Sequence, residues 1–173
     1  PNCLGLINAF ERVIATFGQF ADGATPPGPV GFVTQSGAFG TAIAALARRR
    51  ELGLGYFVNT GNEGDVTFAQ VMREVLADPR IKVGAGYIEG LRDGAELIEL
   101  AQAALAAGKP VVTANKSLLA ARGAELFALA RKHDTCIAFE ASCGGGIPII
   151  DALSRGLVAN RIDAMLGILN GTC

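Results

Sequence analysis

The sequence has few of the residues from which metal centres are usually built. Its 173 residues include no tryptophan, a single histidine and four cysteines. The cysteines, Cys3, Cys136, Cys143 and Cys173, form no CxxC pair and show no metal-ligand spacing. A structural zinc site is therefore not expected. Unpaired cysteines of this kind are typical of reduced thiols, which indicates a cytoplasmic location.

Long apolar runs and strong charge of either sign are also missing. No window approaches the roughly 18 consecutive apolar residues that a membrane span needs. The opening "PNCLGLINAFERVIATFG" lacks the basic region of a signal peptide. Charged residues make up 18% of the chain and the formal net charge is -1. We therefore expect neither a nucleic-acid partner nor a membrane partner, and association into a homo-oligomer stays open.

The sequence does contain a regular alternation of short β-rich runs and helical patterns. After a loop-like start, the expected strands are "PVGFVTQ", "GYFVNTG", "KVGAGYIEG", "KPVVTAN", "TCIAFEAS" and "RIDAMLGILNG". Helical periodicity fills the intervals between them, and Gly108 suits a helix C-terminus. This pattern predicts an α/β class with a doubly wound, mostly parallel sheet of about six strands, in one domain spanning 1–173.

In such sheets ligands bind beyond the carboxyl ends of the strands, so the loops there hold the candidate site residues. Ser36 and Gly37 end the first expected strand and open a helix, where backbone N–H groups can hold a phosphate. The alternative is that Ser36 is an ordinary N-cap beside a glycine turn. Glu63 belongs to a polar turn before the next helix, expected to start near Val66.

Two further charged residues follow expected strands. Glu89 ends the third strand, where a carboxylate can orient a catalytic base or nucleophile; alone, it equally suits a solvated loop acid. Lys116 follows the fourth strand and can neutralise a phosphate or face a substrate, or it is a solvated lysine in the first turn of a helix.

The motifs "PNCLGLIN", "PPGPVGFVTQSGAFGTAI", "VNTGNEGDVTFAQV" and "YIEGLRDGAELIELA" carry a resemblance over residues 1–110. This part resembles the NDP-forming acyl-CoA synthetases, relatives of the succinyl-CoA synthetase α subunit. The resemblance implies a flavodoxin-like, Rossmann-like fold and chemistry with CoA, phosphate and a phosphohistidine. It also implies that Ser36 and Gly37 lie at the helix that receives the phosphorylated loop, and that Glu89 is the acid that contacts the histidine.

This sequence departs from that family where the nucleophile should be. After "KPVV" the family has a small-residue loop with the phosphorylated histidine, and here "TANKSLLAARGAELFAL" takes its place. The only histidine, His133, lies in "ARKHD" at a helix end, where a capping role is expected. No residue of the chain is therefore assigned as catalytic.

The motifs "TANKSLLA", "FEAS", "GGGIPII" and "GILNGT" carry a second resemblance, over residues 111–173. This part resembles homoserine dehydrogenase, an NAD- or NADP-dependent oxidoreductase. The resemblance implies a substrate or cofactor role for Lys116 and a sodium site at Glu140, Cys143, Gly145 and Ile147. A G-x-G-x-x-G dinucleotide fingerprint is absent, and the family's catalytic lysine and aspartate match no residue here.

Three hypotheses follow. The first is a chimera, engineered or naturally recombined, that lacks catalytic activity and keeps some binding of a small phosphate-bearing ligand such as phosphate, CoA or NADP. The second is a fragment of an NDP-forming acyl-CoA synthetase, a ligase. The third is a homoserine dehydrogenase fragment.

Overall fold

The computed structural model describes residues 3–18, 26–90, 94–144 and 146–167. The chain divides into two compact units, Pro1–Asp93 and Gly94–Cys173. No helix in these described ranges is long and apolar enough to cross a membrane.

The first unit contains a five-stranded sheet. Its strands are β1 (Gly5–Asn8), β2 (Val13–Thr16), β3 (Val30–Thr34), β4 (Leu54–Asn59) and β5 (Val83–Tyr87). The spatial order is β2-β1-β4-β3-β5, with β3 parallel to both β4 and β5 and β1 antiparallel to β2 and β4. In this register Thr34 pairs with Asn59 on one side and with Tyr87 on the other. The carboxyl ends of the three parallel strands therefore meet at one edge.

Two helices cover this sheet. Helix α1 (Gly37–Arg49) follows β3, and α2 (Phe68–Ala77) follows β4. Helix α2 begins with a capping box, in which Thr67 accepts from the backbone of Gln70 and the Gln70 side chain accepts from Thr67. All five residues of β3 are buried, as expected of a central strand covered on both faces.

Helix α2 packs closely against glycines of the sheet. A Cβ atom on Gly31 of β3 would lie 2.2 Å from Val75 Cγ1, and one on Gly86 of β5 would lie 2.3 Å from Phe68 Cζ. Gly84 would meet the same helix at 2.8 Å. We call Gly31, Gly84 and Gly86 the glycine face. Because these residues have no side chain, the helix side chains occupy the space directly over the sheet backbone.

A polar and aromatic cluster joins the β1–β2 turn to the end of α2. Arg80 donates to both carboxylate oxygens of Asp78 and to Glu11 Oε1 at 2.9 Å, and its guanidinium lies 4.1 Å from the centre of the Phe10 ring. Tyr56 donates its hydroxyl to Asp78 at 2.7 Å. The hydrogen bonds from Arg80 hold the pKa of Asp78 well below its usual range, and the hydrogen bond to Asp78 raises the pKa of Tyr56.

The second unit has a smaller parallel sheet and two long helices. Its elements are α3 (Gly94–Ala106), β6 (Val111–Val112), α4 (Lys116–Lys132) and β7 (Ile137–Ala138), with β6 paired to β7. A 3₁₀ turn at Glu140–Ser142, a short helix α5 (Ile149–Asp151) and a π-helical turn at Ala152–Gly156 follow. Its core is apolar and includes Leu105, Leu118, Leu126, Ala130 and Ile137.

The structure confirms the α/β class with parallel strands and the helix at each expected interval through Lys132. Gly108 ends α3 with a φ of 70°, as its position predicted. The parallel strands divide between two sheets, however, instead of forming one. The start of the chain is a β-hairpin, formed by the pairing of β1 with β2, where a loop was expected. Three of the four residues of β2 are exposed, so the strand has no alternation of buried and exposed side chains that would reveal it in the sequence.

The end of the chain also differs from the expectation. Residues 161–167 form no strand, and residues 168–171 of the expected final strand lie outside the described residues. Met165 and Leu166 are exposed. Their apolar side chains suit a strand, but a strand needs a neighbouring strand to pair with. The helix expected over 147–160 is reduced to α5 and the π-helical turn.

Candidate functional site

The turn between β3 and α1 is buried and internally hydrogen bonded. Thr34 Oγ1 accepts from Ser36 N and donates to Ser36 O, both at 3.1 Å. The side chain of Ser36 is the N-cap of α1 and accepts from Phe39 N at 3.4 Å, while Ser36 O accepts from Gly40 N at 2.9 Å. The expectation that Ser36 is an N-cap is therefore confirmed.

The N-cap leaves two backbone donors at this helix end. Within the described part of the chain, the N–H groups of Gly37 and Ala38 have no hydrogen-bond acceptor. The first turn of α1 contains no acidic side chain, and Ala38 is exposed. Unpaired amides at the positive end of a helix dipole can bind an anion such as phosphate.

The residue before the N-cap, Gln35, connects the ends of three strands. Its Nε2 donates to Glu63 Oε1 and to Gly90 O, each at 2.8 Å. Its Oε1 accepts from Glu89 N at 2.7 Å and from Gly90 N at 2.9 Å. Its backbone N–H donates to Tyr87 O at 3.0 Å. Three of the strand-end loops predicted to hold the site, those after β3, β4 and β5, therefore come together.

Glu63 is a buried carboxylate, only 6% exposed, although its turn reads as solvated in the sequence. Besides the bond from Gln35, its Oε1 accepts from Phe68 N at 2.7 Å, and Thr60 Oγ1 lies 3.4 Å away. Phe68 is the first residue of α2, so the negative charge lies at the positive end of that helix. Glu63 has a φ of 54°, the left-handed conformation, and that conformation allows its side chain to turn back toward Gln35.

The expectation for this turn needs two corrections. Helix α2 starts at Phe68 and not near Val66, because Thr67 forms the capping box. Gln35 and Glu63 as a buried pair were missed by the sequence reasoning. A glutamine directly after the β-rich run VGFVT was a partial signal, since a buried amide requires partners.

Glu89 keeps both of its expected interpretations open. Its backbone amide is held by Gln35, while the residue itself is exposed at the end of the β5 loop. Nearby, the rings of Phe39 and Tyr87 stack with their centres 4.1 Å apart. Residues 91–93 of this loop lie outside the described residues.

Lys116 lies at the start of α4 in the second unit. Asn115 is the N-cap and accepts from Leu118 N at 3.0 Å, and Lys116 is exposed in the first helical turn. A cation there opposes the helix dipole, at a cost of about 0.3–1 kcal/mol. A bound anion would offset that cost.

The described residues of the predicted sodium site lie around the start of α5. Both oxygens of Glu140 accept backbone N–H groups, from Ile150 at 2.9 Å and from Asp151 at 2.8 Å. Cys143 N donates to Glu140 O at 3.2 Å, and Ile147 is 61% exposed. The carboxylate therefore caps α5 in this structure, and the sodium site stays a prediction.

Two further residues bear on metal and histidine chemistry. Gly145, the remaining member of the assigned set, lies outside the described residues. Among the residues that are described, no group of three or more His, Cys, Asp and Glu side chains could hold a metal. His133 is the C-cap of α4, and its backbone N–H donates to Leu129 O and Ala130 O. Its position at a helix end is the one that the sequence predicted.

Relatives of two kinds match this chain. The acetate–CoA ligase [ADP-forming] II subunit alpha of Pyrococcus furiosus is 36% identical over 174 residues, 97% of this chain and 34% of that protein. The homoserine dehydrogenase of Neisseria gonorrhoeae is 58% identical over 65 residues, 38% of this chain and 15% of that protein. The chain thus spans about a third or less of these relatives, and both resemblances expected from the motifs are confirmed.

Solved structures also match this chain. PH0766 from Pyrococcus horikoshii OT3 is 30% identical with a TM-score of 0.59, covering 80% of this chain and 30% of that one. A homoserine dehydrogenase from Thiobacillus denitrificans is 33% identical with a TM-score of 0.53, covering 79% of this chain and 34% of that one. The family described as "Succinyl-CoA ligase like flavodoxin domain" matches residues 27–144, more than half of the sequence. The chain therefore belongs to the family of succinyl-CoA ligase-like flavodoxin domains.

Proposed function

We propose that the chain is a recombined member of this family that binds a phosphate-bearing ligand at the N-terminus of α1 and has no catalytic activity of its own. The proposal rests on the backbone N–H groups of Gly37 and Ala38, which have no hydrogen-bond acceptor among the described residues and lie at the start of a 13-residue helix. The partner is a small molecule, and a cytoplasmic location belongs to the same proposal.

Electrostatics and rigidity both favour an anion at this place. The helix dipole contributes a partial positive charge, and no acidic side chain in the first turn of α1 offsets it. The turn that presents the amides is fixed by the Thr34–Ser36 hydrogen bonds, so little conformational entropy is lost when a ligand binds.

The lack of activity is inferred from the position of His133. The resemblance to acyl-CoA synthetases implies transfer through a phosphohistidine. The single histidine of the sequence is a helix C-cap in the second unit, on a helix that the resemblance to homoserine dehydrogenase covers. A ligase activity would need a histidine from outside these 173 residues, and a phosphotransfer assay with added subunits tests that alternative.

Recombination is favoured by a difference in identity between the two kinds of relative. A homoserine dehydrogenase is 58% identical over 65 residues, whereas an acetate–CoA ligase subunit is 36% identical over 97% of the chain. A second candidate function follows from the same pattern. Lys116 at the start of α4 favours binding of a nicotinamide nucleotide through its phosphates, and CoA offers the same phosphate chemistry.

The test is a titration of the chain with inorganic phosphate, followed by the amide chemical shifts of Gly37 and Ala38. We compare it with Ala38→Glu, which places a carboxylate in the first turn. Two like charges about 4 Å apart repel by roughly 1 kcal/mol in water, and hydrogen phosphate carries up to two charges, so we expect binding weaker by roughly fivefold to thirtyfold. Ala45→Glu is the matched control, because Ala45 is exposed on the same helix about 10 Å away along its axis.

The expected result is a phosphate-dependent shift at Gly37 and Ala38 that weakens in Ala38→Glu and persists in Ala45→Glu. No shift in the unmodified chain, or equal weakening by both substitutions, would overturn the proposed site. Thermal melts with NADPH, CoA and sodium chloride complete the test, because a ligand that binds the folded state raises the melting temperature with its concentration. A rise with NADPH alone would support the second candidate.

A further inference from the structure

We infer that Gln35 is a positioning residue, whose side-chain amide fixes the loop after β5 against the anion-binding start of α1. The inference rests on the proposed function, because the start of α1 is the place where the phosphate-bearing ligand is expected. It assigns to Gln35 a role that neither resemblance supplies.

The hydrogen bonds of Gln35 use the full capacity of a primary amide. Such an amide has two donor hydrogens and two acceptor lone pairs. The donors go to Glu63 Oε1 and Gly90 O, and the lone pairs accept from Glu89 N and Gly90 N. Four partners at 2.7 to 2.9 Å leave the side chain a single orientation.

Glu63 determines which way the amide points. An ionised carboxylate only accepts hydrogen bonds, so the Nε2 atom of Gln35 must face it. Glu63 is itself held by Phe68 N at the start of α2. Both side chains are 6% exposed, so water does not compete for these bonds, and a lost partner leaves a buried polar group unpaired.

The position of Gln35 in the chain connects this hydrogen-bond network to the start of α1. Ser36, the N-cap, and Gly37, an unpaired donor, directly follow it. The same residue therefore fixes the backbone at Glu89 and Gly90 and the backbone that leads into α1. The exposed carboxylate of Glu89 is placed by this contact, since its own backbone N–H donates to Gln35. Movement of Gln35 would change the loop after β5 and the start of α1 together.

No other common side chain of this size repeats the pattern. Glutamate at residue 35 would place a second carboxylate where Nε2 now lies, 2.8 Å from Glu63 Oε1 and 2.8 Å from Gly90 O. Methionine would preserve the length and remove all four hydrogen bonds. The combination Gln35→Glu with Glu63→Gln gives residue 63 a donor toward residue 35, although a nitrogen in place of Glu63 Oε1 no longer accepts from Phe68 N.

The experiment measures amide hydrogen exchange at Glu89 and Gly90, together with the phosphate titration of Gly37 and Ala38. We expect Gln35→Glu and Gln35→Met to lower protection at Glu89 and Gly90 by roughly threefold to tenfold, the contribution of an ordinary hydrogen bond. The double variant Gln35→Glu/Glu63→Gln should recover part of that protection. Recovery by a second substitution is not expected if Gln35 only fills space.

Gln102→Glu is the matched control. Gln102 also donates to a glutamate, Glu125, but that pair lies at the surface of the second unit. This variant should leave the amides of Glu89 and Gly90 unchanged. Unchanged protection in both Gln35 variants, or a double variant no better than Gln35→Glu, would overturn the inference. If Gln35→Glu does not fold, the comparison of Gln35→Met with the unmodified chain decides.

The two proposals fail in different ways. If the unmodified chain does not bind phosphate, the proposed function fails, while hydrogen exchange at Glu89 and Gly90 still decides the role of Gln35. If phosphate binds equally well to the unmodified chain and to Gln35→Met, despite lost protection at Gly90, the amide positions the loop but not the ligand site. That result would overturn the link between the two.

Discussion

Replacing Gly31 with alanine tests how closely α2 packs on the glycine face. The new Cβ would lie 2.2 Å from Val75 Cγ1 and 3.6 Å from Ile81 Cγ2. Carbon atoms in ordinary contact are about 3.5–4.0 Å apart, so the two atoms must separate by about 1.5 Å. Val75 is buried and β-branched, and its χ1 angle has one strongly preferred value in a helix. Overpacking of this kind costs about 1–3 kcal/mol.

The two tyrosines of the sequence make this prediction easy to measure. Tyr56 and Tyr87 both lie in the first unit, and the chain has no tryptophan. Tyrosine fluorescence therefore follows the unfolding of that unit. Since 1 kcal/mol shifts the melting temperature of a domain of 60–100 residues by about 4–8 °C, we expect Gly31→Ala to lower it by roughly 5–20 °C. An unchanged or higher melting temperature would show that α2 does not pack on the sheet in this way.

Three further predictions concern other parts of the chain. Gly123→Ala in α4 should stabilise the second unit by about 1 kcal/mol through its higher helix propensity, because the new Cβ meets Leu119 and Phe127 no closer than 3.8 Å. Unfolding followed by far-UV circular dichroism would measure this gain, and unfolding followed by tyrosine fluorescence should not change. Leu126→Ala should destabilise the same unit by about 2–5 kcal/mol, since Leu126 is 1% exposed, and a smaller loss by the same measurement would contradict its place in the core. Because the pKa of Asp78 is lowered in the folded protein, its stabilising effect is present above about pH 4 and is lost as pH falls toward the folded pKa. Asp78→Asn should therefore destabilise the first unit at about pH 7, and this loss should shrink as pH falls from about 4 to about 1, because the folded pKa lies well below the unfolded one. An equal loss at about pH 7 and about pH 1 would refute the ionic origin.

The parts of the fold that follow from local pattern could be predicted from the sequence. Strands β3, β4 and β5 and helices α1 to α4 have clear periodicity and recognisable ends, such as Ser36 and Gly108. The hairpin β1–β2 could not be predicted, because the residues of β2 are largely exposed and β1 is held in the sheet by pairing with β4. Pairing between distant residues leaves little trace in local composition.

The candidate site shows the same division. The turn at Ser36 and Gly37 could be found, since a helix N-terminus after a parallel strand is a local feature. The buried pair of Gln35 and Glu63 could not, because it depends on a positive φ at Glu63 and on contacts 28 residues apart. The cap of α5 by the carboxylate of Glu140 could not be predicted either, because it joins residues ten and eleven apart in the chain.

The glycine face also limits how this fold can exchange parts with a relative. Gly31 and Gly86 contribute to the surface under α2, although they lie on either side of that helix in the chain. A crossover between residues 31 and 86 would combine the helix of one parent with a strand of the other, and any side chain in place of these glycines would collide with Phe68 or Val75. Residues 31–86 should therefore be inherited as one block, so that recombination is tolerated only outside it.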